Sequence, residues 1–194
     1  MRLDDAALNA LFRNARSYNR WSSEGVPEAT LRVLYDLLKL GPTSANCSPA
    51  RFVFVASVAS RAKLLNCVSS GNRIKVEQAP VTVIVGMAER FAERLPFLFP
   101  HAPTARSWFT DPALARETAL RNSSLQGAYL IIAARSLGLD CGPMSGFDAA
   151  KLDAAFFTGT DVKSNFICAL GHGSNEHLHE RLPRLQFDEA CSII

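Results

Sequence analysis

The sequence predicts a single domain that spans residues 1–194. Its fold class is α+β, with helices and strands arranged in three layers as in an α/β protein. Helix-like segments alternate along the chain with short apolar segments of strand length, the order expected of a layered domain. The length of 194 residues corresponds to about one domain. Hydrophobic residues make up 48% of the chain and charged residues 20%, a composition that excludes an intrinsically disordered protein.

Three helices and one strand are predicted in the N-terminal third. Residues 5–16 form a first helix, because their apolar residues share one face. A second helix begins at Pro27, shows apolar spacing of i, i+3, i+4 and i+7, and ends before Gly41-Pro42. Residues 51–58 are expected to form a strand, and a short helix follows at 60–68.

The middle of the chain combines an apolar strand with an irregular aromatic segment. Residues 81–87 are apolar without alternation, which predicts a strand buried on both faces of a sheet. Residues 95–112 hold four prolines among several aromatic residues, so neither a regular helix nor a central strand is expected there. Loops of this kind often cover binding sites.

A long helix precedes the last predicted strands. It extends from Ala113 to Ser136, and its middle, Leu125 to Ala134, is apolar nearly all round and is expected to be buried. A short strand is expected at Leu139 to Cys141, a helix at Asp148 to Phe157, and a final strand at Ser164 to Leu170.

Charge and cysteine content limit the classes of partner. The net charge is +3 without a concentrated Lys/Arg face, so nucleic acid is not an expected partner. Most cations are Arg, which suits small ligands carrying phosphate or carboxylate.

The longest apolar run, 128–134, is far shorter than the ~20 residues of a membrane span, so no membrane partner is expected. Five widely spaced cysteines and the lack of an apolar leader predict free thiols in the cytoplasm.

Motifs for metals, nucleotides and nucleophilic catalysis are lacking. No complementary ligands accompany the neighbouring histidines, so no metal site is predicted at His172, His177 and His179. Residues 171–176 begin like G-x-G-x-x-G but lack the third glycine. Residues 142–146 have the order G-x-x-S-G, which differs from the G-x-S-x-G of a nucleophile elbow.

Five polar segments lie at the ends of predicted helices and strands: 15–21, 41–49, 70–75, 142–147 and 180–184. Taken alone, each has an ordinary explanation: a surface arginine, a helix cap or a helix terminator. No folding requirement explains all five in this order, and together they favour a ligand site.

Six segments resemble, in the same order, those of the FMN-dependent nitroreductase family: Gly41 to Arg51, Arg94 to Pro100, Ala105 to Thr110, Arg121 to Ser124, Gly142 to Asp148 and Arg181 to Leu185. The resemblance covers nearly the whole chain, and within the family it is strongest to the branch that reduces malonic semialdehyde. It implies a nitroreductase-like fold, in which helices flank a central mixed, mainly antiparallel sheet, and a homodimer.

The resemblance implies that two separate segments hold the phosphate end of FMN. Arg16, Ser17 and Asn19 correspond to a segment that reaches the phosphate and the ribityl chain, and Arg181 corresponds to a phosphate-binding residue. Charge-assisted hydrogen bonds from two guanidinium groups suit a phosphate dianion.

The flavin ring is assigned by the same resemblance to residues of two further segments. Asn72 and Lys75 correspond to contacts at the pyrimidine edge, and Pro143, Ser145 and Gly146 correspond to the turn beside the hydride-accepting nitrogen. A cation at Lys75 would favour the reduced ring electrostatically. The flavin carries the hydride chemistry, so no catalytic side chain is expected.

A second subunit is implied for the remaining contacts. Pro42, Thr43, Ser44 and Asn46 correspond to a segment that the partner chain lays against the same flavin. The helix 113–136 is the expected interface. A monomer that bound FMN stoichiometrically would contradict this assignment.

The expected activity is reduction of a small electron acceptor by NADH or NADPH through FMN, in a ping-pong cycle. For malonic semialdehyde, Arg106 in the aromatic segment is the hypothesised partner of the substrate carboxylate. Three alternatives remain open at this point: a general nitroaromatic or quinone reductase, a non-catalytic flavin-binding protein, and a cofactor-free protein that binds a phosphorylated metabolite.

Overall fold

The computed structural model describes residues 2–194, which form a four-stranded sheet between two layers of helices. The strands are β1 (Ala50–Val55), β2 (Val81–Ala88), β3 (Asp140–Met144) and β4 (Val162–Gly171). The α-helices are α1 (Asp5–Leu8), α2 (Glu28–Leu38), α3 (Val58–Leu65), α4 (Arg73–Gln78), α5 (Leu95–Leu98), α6 (Pro112–Ser136), α7 (Ala149–Phe156) and α8 (Phe187–Ala190).

The strands lie in the order β1-β2-β4-β3, and all three strand pairs are antiparallel. A single-residue parallel bridge joins Ser17 to Cys141 and attaches the N-terminal segment to β3. The predicted mainly antiparallel sheet flanked by helices is therefore confirmed, and its four strands are all antiparallel. Every residue of β2 is buried, as its unbroken apolar sequence predicted.

Alternate residues of the sheet enter two hydrophobic cores. Val83 on β2 packs with Leu34 and Leu130, on the face covered by α2 and α6. The next residue, Ile84, points to the opposite face and packs with Leu64 of α3 and Leu152 of α7. The three-layer arrangement follows directly from this alternation.

Two predictions about helices are wrong in detail: the end of the first helix and the absence of helix from the aromatic segment. The first helix ends at Arg13 after a wider π-helical turn, Asn9–Arg13, because the following residues extend along β3 instead. The aromatic segment contains the one-turn helix α5, with a proline in its first turn, where the missing backbone N–H costs nothing. The short helices α4 and α8 were not predicted.

The middle of α6 is not buried all round, contrary to the expectation from its composition. Leu125 and Tyr129 are 47% and 39% exposed, whereas Leu130 and Ala134 are fully buried. The helix packs on the sheet through one face, and its outer face also exposes Leu114 and Leu120. Four large apolar side chains of α6 are thereby left exposed in the single chain.

Candidate functional site

Four of the predicted flavin residues line one cavity of about 420 Å³ between the N-terminal and C-terminal segments: Arg16, Ser17, Asn19 and Arg181. Arg181 donates from Nη2 to the carbonyl oxygens of Arg13 and Ala15, at 2.6 and 2.9 Å. Arg16 in turn donates to the carbonyl oxygen of His179. A guanidinium has five N–H donors, so both side chains keep donors for an anion in the cavity.

Arg135 lines the same cavity and was missed by the sequence analysis. Its Nη1 donates to the carbonyl oxygen of Leu11 at 2.9 Å, while its Nε is buried without a hydrogen-bond partner. A buried donor left unpaired costs free energy, so an acceptor is expected there. The sequence places Arg135 in the last turn of a helix, where basic residues are common, so nothing in the sequence marks it as a site residue. The three arginines that line this cavity fit an anionic group such as the phosphate of FMN.

A second cavity of about 410 Å³ shares Asn19 and His179 with the first and contains Lys75. Burial lowers the pKa of the Lys75 ammonium below its ordinary value of 10.5. The indole Nε1 of Trp21 donates to the carbonyl oxygen of Lys75 at 3.1 Å and fixes the backbone of α4. The two cavities thus lie next to each other, with the cluster of arginines in one and a half-buried cation in the other.

Gly142 permits this close approach of β3 to the N-terminal segment. A Cβ atom at this position would lie 2.7 Å from the carbonyl oxygen of Tyr18 and 3.1 Å from Cδ of Lys75. The backbone N–H of Tyr18 also donates to the carbonyl oxygen of Cys141 at 3.1 Å. Backbone contact therefore sets the spacing between β3 and the Lys75 side of the site.

Asn72 and Gly146, two of the predicted flavin contacts, meet directly. Asn72 Nδ2 donates to the carbonyl oxygen of Gly146 at 3.0 Å, and Ser69 Oγ donates to the same oxygen at 2.9 Å. Pro143 and Ser145, which precede Gly146 on the chain, are exposed at the end of β3. The segments 70–75 and 142–146 consequently form one wall.

The second predicted flavin segment forms a strained and partly exposed turn. Pro42, Ser44 and Asn46 are exposed, and Thr43 is half-buried. Ala45 and Asn46 both have φ of 49°, the pattern at the centre of a type I′ turn. For a residue with a Cβ this left-handed conformation costs about 1–2 kcal/mol. Such strain is concentrated in proteins at functional sites.

The structure does not bring this turn to the flavin cavities of the same chain. The turn leads into Ala50 of β1, which pairs with Met87 at one end of β2. Cys141 of β3 pairs with Leu170 of β4, and Leu170 in turn pairs with Val81 at the other end of β2. The edge strands β1 and β3 lie about 14 Å apart across the sheet, and the two positions are also offset by about 20 Å along the strand direction. The two groups of predicted residues therefore lie at opposite edges and opposite ends of the sheet.

Arg106 lines a third cavity, of about 520 Å³, together with Arg90, Arg116 and Glu89. This cavity contains none of the other predicted site residues. The aromatic segment does contact the strained turn, because Asn46 Nδ2 donates to the carbonyl oxygen of Leu98 at 2.8 Å. Arg106 thus belongs to the same side of the protein as the second flavin segment.

Across residues 2–194, no three His, Cys, Asp or Glu side chains are grouped to hold a metal ion. Within the same range, no helix is both long and apolar enough to cross a membrane. All five cysteines are free, and four of them are buried.

Comparison with known proteins gives the family. The family model described as "Nitroreductase family" matches residues 12–173. A protein of Caulobacter sp. (strain K31) named "Putative NADH dehydrogenase/NAD(P)H nitroreductase" is 58% identical over 193 residues, which cover 100% of this chain and 99% of that protein. The chain therefore belongs to the Nitroreductase family, and the expected enzyme class, an oxidoreductase, is confirmed.

Solved structures support the same fold. A crystal structure named as a "putative nitroreductase" of Bacillus subtilis has a TM-score of 0.90 at 19% identity, covering 98% of this chain and 100% of that one. A "putative nitroreductase in complex with FMN" from Exiguobacterium sibiricum 255-15 has a TM-score of 0.88 at 17% identity, covering 100% and 99%. The predicted nitroreductase-like fold is confirmed.

Proposed function

We propose that this chain binds FMN across two subunits and uses it to reduce malonic semialdehyde to 3-hydroxypropanoate with NADH or NADPH. The observation that carries the proposal is the convergence of Arg16, Arg135, Arg181 and Lys75 on two adjacent cavities. Family membership and the FMN complex of a protein with the same fold support the choice of cofactor.

The arginine cavity would hold the phosphate of FMN, and Lys75 would lie at the pyrimidine edge of its ring. When bound, FMN supplies the hydride-transfer chemistry. Lys75 would stabilise the negative charge that the reduced ring gains, and its half-buried position strengthens that interaction relative to water. Ser145 and Gly146 would fix the opposite side of the ring through backbone contacts.

A homodimer would complete the site. The turn at Pro42, Thr43, Ser44 and Asn46 is too far from the arginine cavity of its own chain, so a second copy would supply it. The exposed apolar side chains of α6 are available as the interface, and the exposed C-terminal residues Leu185, Phe187 and Ile193 add further apolar surface. Covering such surfaces is the usual outcome of subunit association.

Arg106 would bind the carboxylate of the aldehyde substrate in the flavin site of the partner. Among residues 2–194, no ion pair or hydrogen bond occupies its guanidinium, and it belongs to the aromatic segment whose Leu98 accepts a hydrogen bond from Asn46 of the turn. In the reaction, malonic semialdehyde gains a hydride at its aldehyde carbon and a proton at its oxygen, while NADH or NADPH is oxidised.

The test is stopped-flow reduction of the FMN-loaded protein by NADH and by NADPH, followed by reoxidation with malonic semialdehyde, a nitroarene or a quinone. Flavin bleaching by a pyridine nucleotide and rapid recovery with the aldehyde are the expected results. Recovery with the nitroarene or quinone alone would identify a general nitro or quinone reductase instead. Bound FMN that no nucleotide reduces would identify a non-catalytic flavin protein.

Arg106→Ala separates carboxylate binding from flavin binding. The KM for malonic semialdehyde should rise at unchanged FMN content, because only the substrate loses an ionic partner. The KM for an uncharged nitroarene serves as the control and should not change. Unchanged aldehyde kinetics would remove Arg106 from the site.

A further inference from the structure

A buried amide on α6 holds the strained turn that contains Ser44. Asn122 Oδ1 accepts a hydrogen bond from the backbone N–H of Ser44 at 2.8 Å. Its Nδ2 donates to the carbonyl oxygen of Thr118 at 2.9 Å, so both ends of the amide are engaged. Asn122 is 1% exposed. The amide cannot rotate without breaking one of the two bonds in a place that water does not reach.

The turn needs such restraint because its conformation is unfavourable for its residues. Ala45, Asn46 and Ser48 have φ values of 49°, 49° and 39°, and none of them is a glycine. Conformations of this kind persist only where the surrounding structure enforces them. Ser48 N–H donates to Thr43 Oγ1 at 3.1 Å, which is a bond within the segment itself. The bond to Asn122 instead ties the turn to the protein interior.

We propose that Asn122 is a positioning residue for the flavin of the partner subunit. By fixing Ser44, it sets the conformation of the turn that the partner's FMN would contact, and so it sets FMN affinity and the geometry of hydride transfer. This inference rests on the proposed function, which assigns that contact to Pro42, Thr43, Ser44 and Asn46.

Gln126 provides a matched comparison one helical turn away. It is 5% exposed, and its Oε1 accepts from the backbone N–H of Ala50 at 2.9 Å. Asn122 and Gln126 therefore make the same kind of bond from the same face of α6. Ala50 begins β1, so Gln126 supports the sheet, whereas Asn122 supports the turn.

The experiment compares Asn122→Leu with Gln126→Leu. Each variant removes the acceptor of one backbone N–H, in a part-buried bond at Ser44 and in a buried bond at Ala50, so both should lower the Tm, and Gln126→Leu at least as much as Asn122→Leu. Only Asn122→Leu should also weaken FMN binding, by about tenfold. Asn122→Leu should further change the visible circular dichroism of bound flavin and lower kcat in the reconstituted enzyme. Asn122→Asp retains an acceptor oxygen for Ser44 and should restore the flavin spectrum, even if its Tm stays low.

Several outcomes would overturn the inference. Equal changes in FMN affinity and flavin spectrum for Asn122→Leu and Gln126→Leu would show that Asn122 has only a structural role. If the leucine variants do not fold, Asn122→Ser and Gln126→Ser are compared by the same readouts. Wild-type protein that binds no FMN would refute the proposed function and this inference with it. Wild-type binding with parallel losses in the two variants would refute the inference alone.

Discussion

Arg181 Nη2 lies 2.9 Å from the carbonyl oxygen of Ala15, which joins the C-terminal segment to the residue before Arg16. One guanidinium thereby fixes the wall of the arginine cavity and also offers donors to its interior. We expect Arg181→Ala to weaken FMN binding by about 10–100-fold, the range for loss of a charge-assisted hydrogen bond. Equilibrium dialysis against FMN measures this change.

Arg61 is the control for that substitution, because it also donates to a backbone carbonyl oxygen, that of Pro80 at 3.1 Å. It lines neither of the proposed flavin cavities. Arg61→Ala should leave FMN affinity unchanged. Equal losses in the two variants would mean that Arg181 acts only by holding the fold.

Lys75→Met should stabilise the cofactor-free protein and impair its reduction. Because burial lowers the pKa of Lys75 in the folded state, the charged form destabilises the fold at pH 7. That penalty declines as pH rises through the folded pKa, and it is gone above the ordinary value of 10.5. The Tm of the variant should thus exceed that of wild type by a few degrees at pH 7, and the difference should shrink as the pH rises and vanish above pH 10.5.

The rate of flavin reduction by NADH or NADPH in Lys75→Met should fall by about 100-fold, because the reduced ring loses its cation. Lys151, an exposed lysine on α7, gives the control variant Lys151→Met, which should alter neither the Tm nor the rate. An unchanged reduction rate in Lys75→Met would exclude Lys75 from the flavin site.

Gly142→Ala should disturb the fold and the site together. The added methyl group would meet a backbone oxygen, that of Tyr18, which cannot rotate away as a flexible side chain can. Overpacking of this kind costs about 1–3 kcal/mol of stability. A urea melt and FMN titration should both show losses, whereas Gly25→Ala, with open space around it, should show neither. Wild-type behaviour of Gly142→Ala would refute the close contact.

The sequence predicts features that depend on neighbouring residues better than features that depend on contacts between residues far apart along the chain. The strand at β2 was predicted because an unbroken apolar run is itself the signal of double burial. Helix α4 was missed because its six residues mix charged and apolar side chains without a full helical period. Asn122 and Arg135 were missed because their roles depend on partners far along the chain, Ser44 and Leu11.

The strained turn was equally beyond local prediction. Alanine is disfavoured in the left-handed conformation, so nothing in the local sequence marks Ala45 as such a position. The predicted flavin residues were found by resemblance, and the structure groups most of them. It also separates Pro42, Thr43, Ser44 and Asn46 from the rest, which no pattern of spacing could indicate.

Reaction with a thiol reagent tests the burial of the cysteines. Burial raises the pKa of the Cys47 thiol to about 11, and it also raises that of Cys67. At pH 8 the native protein should therefore react with Ellman's reagent at one thiol, Cys191, which is exposed. Cys191→Ser should abolish the reaction until denaturant is added. A second fast-reacting thiol in the native protein would contradict the burial of the other four cysteines.

The central claim is that two chains complete each flavin site, and a mixed dimer tests it most directly. One chain carries Arg16→Ala with Arg181→Ala, and the other carries Ser44→Trp. Each homodimer should be inactive, whereas the heterodimer, purified through two different tags, should hold one intact site and show about half of wild-type activity. An inactive heterodimer made of folded chains would place the whole flavin site within a single chain and contradict the account.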